Sequence, residues 1–319
     1  MQSRVLLVSV FASIAAAAFF VTRSQAAPNQ VSYVAPGVWF REGDFENLGH
    51  SNNVIIEMKE YLIVVDANFP SGARATLSDV RRISDKPVKY VFNTHHHGDH
   101  VYGNAVWTKA GAVTLGYVGV VEEMQRLEPG RWQAESKFRK ELTELSPAGP
   151  EPPKQTFEKS PFVLKDGNRE VRFYHYGWGH TRDDGFVYLP KEKILCSGDA
   201  AVNGPYNNLD DAHISNWPKM LRLAQQLGAE VVLPGHGPSG GKDIIDGQIL
   251  FLNELYKTVQ SAVSSGKKLE DLVPGGEPAK TTIKLPDNVK RWTGNMLPAQ
   301  VRDTYQEITQ KKPHGDLVH

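Results

Sequence analysis

Seven consecutive residues, Thr94-His95-His96-His97-Gly98-Asp99-His100, set imidazoles and a carboxylate at His-x-His-x-Asp-His spacing. Three later segments repeat that chemistry one donor at a time: Gly179-His180-Thr181, Ser197-Gly198-Asp199 and Pro234-Gly235-His236-Gly237. A pair of divalent ions needs more donors than one short segment supplies. Isolated His and Asp residues beside glycines in tight turns are what a chain converging on such a pair should show. The fold must therefore carry a dense early cluster to three late, widely spaced side chains.

Hydrophobic patterning supplies the elements. Strands are expected at 37–40, 53–58 and 61–65, with short polar turns between them. A helix is expected over 72–83, where Ala73, Leu77, Val80 and Ile83 share one side. The run 88–92 reads as a buried strand that delivers the histidines at its carboxyl end, where open α/β sheets keep their chemistry. Residues 117–145 are helix-forming and end in a proline-rich break at 147–153. Strands are expected again at 161–164, 170–176, 193–197 and 230–233, and helices at 216–227 and 244–263. Two similar halves, each carrying ligands, could face each other across a site. Past 267 the chain is polar, and a helical C-terminal extension with disorder after Lys311 is expected.

At 319 residues, 40% of them hydrophobic, the chain is long enough for one generous core. Lys plus Arg and Asp plus Glu both number 36, so no net field recruits nucleic acid or an anionic membrane surface, and a small-molecule substrate is the expected partner. At the N-terminus Arg4 precedes an apolar stretch over 5–21, and Ser24-Gln25-Ala26 offers small residues. This reads as a signal peptide cleaved after Ala26, hence a secreted or periplasmic protein. An uncleaved membrane anchor is the rival. Removing residues 1–26 would leave 34 basic and 36 acidic residues. The organisation expected is a signal peptide at 1–26, a hydrolase domain at 27–265, and a helical or partly disordered extension at 266–319. Cys196 is the only cysteine and reads as an inert core thiol.

The four motifs together, in this order, resemble the metallo-β-lactamase superfamily over about residues 31–263. The resemblance implies an α/β fold, an αββα sandwich of two mixed β-sheets flanked by helices. By matching position, His95, His97 and His180 resemble ligands of a first metal, and Asp99, His100 and His236 those of a second. Asp199 matches a carboxylate that bridges both, and Asp66 an acid that orients a ligand. Family members that hydrolyse β-lactams generally carry Cys or Ser where this chain has Asp199, whereas thioesterases, lactonases and phosphodiesterases keep Asp. Yet the stretch from Gly179 to Leu195 resembles that of the exported lactamases.

The donor chemistry agrees with two divalent metal ions. Three imidazoles suit zinc, and the carboxylates Asp99 and Asp199 would let the second position take zinc, iron or manganese. A pair of ions roughly 3.5–4 Å apart can bring the pKa of a shared water toward about 7. The expected reaction is attack of bridging hydroxide on the carbonyl of an ester, lactone or thioester, and weakly of a β-lactam, with Asp99 passing a proton to the leaving group. A phosphodiesterase and a di-iron redox protein are the alternatives. His96 should face away from its neighbours, and His50, His175 and His213 read as surface or core residues. Phe69, Trp178, Tyr206 and Trp217 could line a cleft or sit in the core. Thr181 should bond the local backbone, and Asp183 or Asp184 should sit behind a ligand.

Overall fold

The computed structural model describes residues 28–167 and 169–317, so the expected signal segment at 1–26 lies outside the described residues. Seven strands form the first sheet in sequence order: β1 (Val31–Ala35), β2 (Val38–Arg41), β3 (Asn53–Glu57), β4 (Leu62–Val65), β5 (Val88–Asn93), β6 (Val113–Tyr117) and β7 (Gln155–Phe157). Pairing is antiparallel from β1 to β4 and parallel from β4 to β7. The second sheet runs β12-β11-β10-β9-β8, from β8 (Phe162–Asp166), β9 (Arg169–His175), β10 (Gly185–Leu189), β11 (Ile194–Gly198) and β12 (Val231–Pro234). Only β11 and β12 pair in parallel there. Both sheets are thus mixed, and helices flank both, as the resemblance implied.

Period-2 alternation explains the stacking. Val54, Ile56, Ile63, Val65 and Phe92 from the first sheet meet Val171, Phe173, Val187, Leu189 and Leu233 from the second in one buried cluster. Cys196 lies in it, fully buried, and burial pushes its thiol well above the ordinary range. The alternate residues Ile55, Leu62, Val64 and Val91 point outward, under Ala73 and Val80 of the helix Pro70–Ile83 and under Trp107. On the outer face of the second sheet, Phe186, Tyr188 and Leu195 pack beneath the helices Trp217–Gln225 and Asp243–Ser264. The layers are therefore helix, sheet, sheet, helix.

The helix expected over 117–145 is two, Val118–Glu135 and Lys140–Leu145. β6, β7 and β10 were not anticipated; the short run of β6 between Gly111 and the next helix, and the three residues of β7 after the prolines, leave little periodicity to read. Beyond 266 the chain forms the helices Leu269–Leu272 and Leu297–Gln310 and the 3₁₀ turn Asp287–Trp292, packed against the helix Asp243–Ser264. Past Lys311, where disorder was expected, a 3₁₀ turn at His314–Asp316 buries His314. Its ring finds the carbonyls of Leu209 and Asp210, which the polar composition of the segment does not reveal.

Candidate metal centre

Every motif residue sits at one edge of the sandwich, just past the carboxyl end of a strand: Asp66 after β4, the histidine cluster after β5, His180 after β9, Asp199 after β11 and His236 after β12. Two glycines let the strand ends close up. Gly198 has φ +50°, and a Cβ there would come within 2.6 Å of Thr94 Oγ1, while a Cβ on Gly235 would collide with Asp199 Oδ1. The Gly235 N–H donates to Gly198 O at 2.8 Å, tying β12 to the turn that presents Asp199.

Donor atoms of His95, His97, His180 and Asp199 gather in one group and those of Asp99, His100 and His236 in another, each within 4.8 Å. In the first, ring centroids stand 4.7 Å apart for His95–His97, 4.9 Å for His95–His180 and 4.7 Å for His97–His180. In the second, Asp99 Oδ2 lies 3.1 Å from His236 Nε2 and 3.4 Å from His100 Nε2. Asp199 belongs to both neighbourhoods: Oδ1 is 3.3 Å from His100 Nε2 and Oδ2 is 3.2 Å from His236 Nε2. All the sequence candidates are thereby brought together.

Groups behind the site hold the rings of His95 and His100 and the backbone of His180. Asp66, at φ +66°, accepts from Thr94 N at 2.8 Å and takes His100 Nδ1 at 2.9 Å, the place expected of an orienting acid. Thr94 Oγ1 stands 3.0 Å from His95 Nδ1. Asp184 accepts from the backbone N–H of His180 at 2.7 Å and from Thr181 Oγ1 at 2.7 Å, so Thr181 bonds a side chain and not the backbone as expected. His96 faces away: Nδ1 is 2.8 Å from Asp183 Oδ1, and Nε2 is 3.3 Å from Asp211 Oδ2. His50, His175 and His213 stay outside the donor groups; His50 Nε2 meets Ser71 Oγ and His175 stacks on Tyr117. Trp217 is core, donating to Ala200 O, while Phe69 borders a cavity beside Asp99.

Two side chains were not foreseen. Asp211 Oδ2 lies 2.7 Å from His97 Nε2, and both Asp211 oxygens accept from Arg131 at 2.8 Å. Asp211 lies in a stretch, 207–211, rich in Asn and Asp, where turn chemistry explains such residues by itself. Nothing in the spacing ties it to a histidine more than a hundred residues away.

Electrostatics set the two groups apart. Burial lowers His95 well below the usual imidazole range and His97 to about 4, with neighbouring histidines adding to the effect on each. For His236 burial acts the same way, but the Asp199 and Asp99 carboxylates overcome it and raise the ring to about 9. His100 is raised too, by Asp99, Asp199 and Asp66 against burial. Asp99 and Asp199 stay ionised: burial would raise them, and the His100 and His236 charges outweigh it.

Six buried atoms of these residues lack a hydrogen-bond partner: His95 Nε2, His100 Nε2, both ring nitrogens of His180, His236 Nδ1 and Asp199 Oδ1. An unpartnered buried polar atom costs about 1–3 kcal/mol, so such a concentration of them calls for an occupant. Imidazole nitrogens and carboxylate oxygens facing one another are the donor set of a divalent transition metal, and the residues fit one.

A family model described as "Metallo-beta-lactamase superfamily" matches residues 47–236. Among curated proteins, a metallo-beta-lactamase type 2 of Bacillus sp. (strain 170) is 25% identical over 201 residues, 61% of this chain and 70% of the relative. Another, of Bacteroides fragilis, is 34% identical over 111 residues, covering 33% of this chain and 44% of that protein. Among solved structures, a metallo-beta-lactamase from Pontibacter korlensis superposes with a TM-score of 0.57 at 24% identity, covering 70% of this chain and 98% of that one. FIM-1 from Pseudomonas aeruginosa, in a mono-zinc form, does so with a TM-score of 0.56 at 22% identity, covering 71% and 96%.

Proposed function

The chain belongs to the metallo-beta-lactamase superfamily, a family of metal-dependent hydrolases, and within it we propose an exported hydrolase that holds two divalent ions, zinc foremost, and cleaves an ester, lactone or thioester. The position of Asp199 carries this reading. One carboxylate that faces the three-imidazole group and stands within 3.3 Å of both His100 and His236 is placed to be shared between two ions.

In this reading His95, His97 and His180 would hold one ion and Asp99, His100 and His236 the other, with Asp199 available to both groups. The ions would supply Lewis acidity and a water ionised near neutral pH. The chain's own part is orientation. Asp66 occupies His100 Nδ1, Asp211 occupies His97 Nε2 and Thr94 occupies His95 Nδ1, so each ring keeps the other nitrogen for an ion. Asp99, ionised, partly exposed and bordering the cavity, would take the proton of the attacking water on its carboxylate and pass it to the leaving group.

That cavity, about 340 Å³, shapes the substrate. Phe69 and Tyr102 give it apolar walls, and its cation, Arg131, has both terminal nitrogens engaged by Asp211. The acids Asp99, Glu128, Glu135 and Asp210 also line it. A phosphodiester or a substrate carboxylate would meet these acids with no uncommitted guanidinium, which favours an uncharged carbonyl compound. β-Lactam hydrolysis is the second reading, because the relatives of Bacillus and Bacteroides fragilis are named for it. Asp199, where lactam-hydrolysing members generally carry Cys or Ser, places it below the first.

A panel of esters, lactones, thioesters, cephalosporins and phosphodiesters, with Asp99→Ala as the blank and metal content measured alongside, tests the proposal. Expected are about two zinc ions per chain, fast turnover of one of the first three classes and slow turnover of cephalosporins. Equal slow rates from protein and blank defeat it, and two iron ions instead of zinc would favour redox chemistry. Export is tested separately, by N-terminal sequencing of protein recovered outside the cytoplasm, which should begin after Ala26.

A further inference from the structure

We infer that the C-terminal segment is a positioning element for His97 and His236, acting through the loop that joins β11 to the helix Trp217–Gln225, with Glu307 as its chief residue. The inference rests on the reading of those histidines as metal ligands. The segment lies beyond residue 236, where the family match ends.

The loop, 199–216, contains no strand or helix, a length that rarely holds one conformation without outside support. It also carries the outer partners of two candidate ligands. Asp211 takes His97 Nε2, and the Asn203 N–H donates to His236 O at 3.0 Å while Asn203 Nδ2 donates to Pro238 O at 2.7 Å. The support comes from downstream. Glu307, buried on the helix Leu297–Gln310, accepts the backbone N–H of Ile214 on one oxygen and of Ser215 on the other, both at 2.8 Å, and that of His314 at 3.1 Å. Gln300 Nε2 donates to Asn207 O at 2.7 Å, and Trp292 Nε1 to Val202 O at 3.0 Å. His314 Nδ1 lies 3.1 Å from the carbonyls of Leu209 and Asp210, the residues just before Asp211.

These are buried, directional bonds to loop backbone, and Glu307 makes charge-assisted ones at two consecutive N–H groups. A glutamine cannot serve both N–H groups in the same way, because one of its two positions is a donor. Releasing 214–215 frees Asp211 to shift, and His97 then loses the partner that fixes its tautomer. Trp292 acts on the other branch, through Val202 and Asn203 to His236.

The test compares full-length wild type, Glu307→Gln and Leu272→Ala in zinc affinity, by competition with a chelator, and in the thermal midpoint of the metal-free protein. Leu272 packs in the same apolar cluster, so its truncation removes burial and no hydrogen bond to the loop. Expected is a loss of zinc affinity of about 10–100-fold for Glu307→Gln, with Leu272→Ala binding zinc as wild type does even where its midpoint falls as far. Wild-type affinity in Glu307→Gln, or loss of affinity in step with the midpoint in both variants, overturns the inference. Wild type that binds no zinc overturns the reading of the site, and the inference with it. Should Glu307→Gln fail to fold, Trp292→Phe, which keeps an aromatic side chain in the cluster but loses the indole N–H, takes its place under the same criteria.

Discussion

In the first half of the sandwich, β1 to β7, the donor candidates come from one turn after β5, and buried polar side chains answer one another. Arg41 pairs with Asp79 at 2.8 Å, Thr76 with Asn53 at 2.8 Å, and Asn68 with Asn53 at 3.0 Å. The second half, β8 to β12, delivers His180, Asp199 and His236 singly from three strand ends, and behind them lies a large apolar cluster built on Trp217, Phe251 and the C-terminal helices. Local backbone geometry organises the first set of ligands. The Trp217 ring against His180 and the buried polar bonds from the C-terminal segment organise the second, so damage at those contacts should reach the metal, whereas loss of packing elsewhere, in either half, should not.

The strongest way to break this contrast is at the residue both donor groups share. Asp199→Ala removes the one side chain that reaches His100 and His236 as well as the three-imidazole group. Hydrolysis should fall by more than about 100-fold, beyond the usual effect of losing an outer partner, and metal analysis should give one ion per chain instead of two. Retention of both ions with full activity would mean that the halves are not joined at Asp199.

Next come paired core truncations. Trp217 is fully buried, its ring centroid is 5.3 Å from that of His180, and its N–H holds Ala200 O. Trp217→Ala should cost about 3–5 kcal/mol in denaturant unfolding and also weaken zinc binding. Asp79→Ala leaves Arg41 buried without its carboxylate, a loss of about 3–5 kcal/mol as well, yet zinc affinity should hold. Equal weakening of zinc binding by both variants would remove the distinction between the halves.

A smaller effect is expected at Asp211, which stands in the second half and orients a ligand of the first. Asp211→Asn keeps the shape and a hydrogen bond to His97 but gives up the charge that Arg131 engages through two bonds. Metal affinity should drop about 10–100-fold, read by chelator competition, with stability less affected than in Trp217→Ala.

The contrast also explains what could be read from the chain alone. The cluster 95–100 announces itself because its ligands are adjacent, and His180, Asp199 and His236 stand out because each follows a strand-like run and touches a glycine. The buried strands β3, β4 and β11, and β5 with its buried carboxyl half, were legible for the same reason, as short apolar runs bounded by turns. Asp211, Arg131 and Glu307 were not, because a residue that acts on a ligand from across the fold has no positional rule in sequence. Thr181 was misread for a local reason: its surroundings suggested a backbone partner although Asp184 three residues on was the better acceptor. The C-terminal helices were hard to place for a further reason: their apolar positions are few, and buried polar anchors such as Gln300, Glu307 and His314 do much of the docking.

The smallest effect on the metal belongs to His50, which probes the polar first half away from the donor groups. Burial lowers this imidazole to about 4 from an ordinary 6.5, and the charges of Arg41 and Arg139 press in the same direction. The unfolded chain takes up a proton at His50 as pH falls through about 6.5, whereas the folded chain resists until about 4. In that window the unfolded state binds more protons, so stability falls as pH falls, and below it the loss is complete. His50→Gln, which does not titrate, should therefore lose less stability than wild type on acidification from pH 7 to pH 4, in urea unfolding followed at each pH. Parallel curves for the two proteins would show that His50 is as easily charged folded as unfolded. The first half would then tolerate a buried cation beside Arg41, and its paired polar network would be looser than the bonds around Asn53 and Asn68 imply.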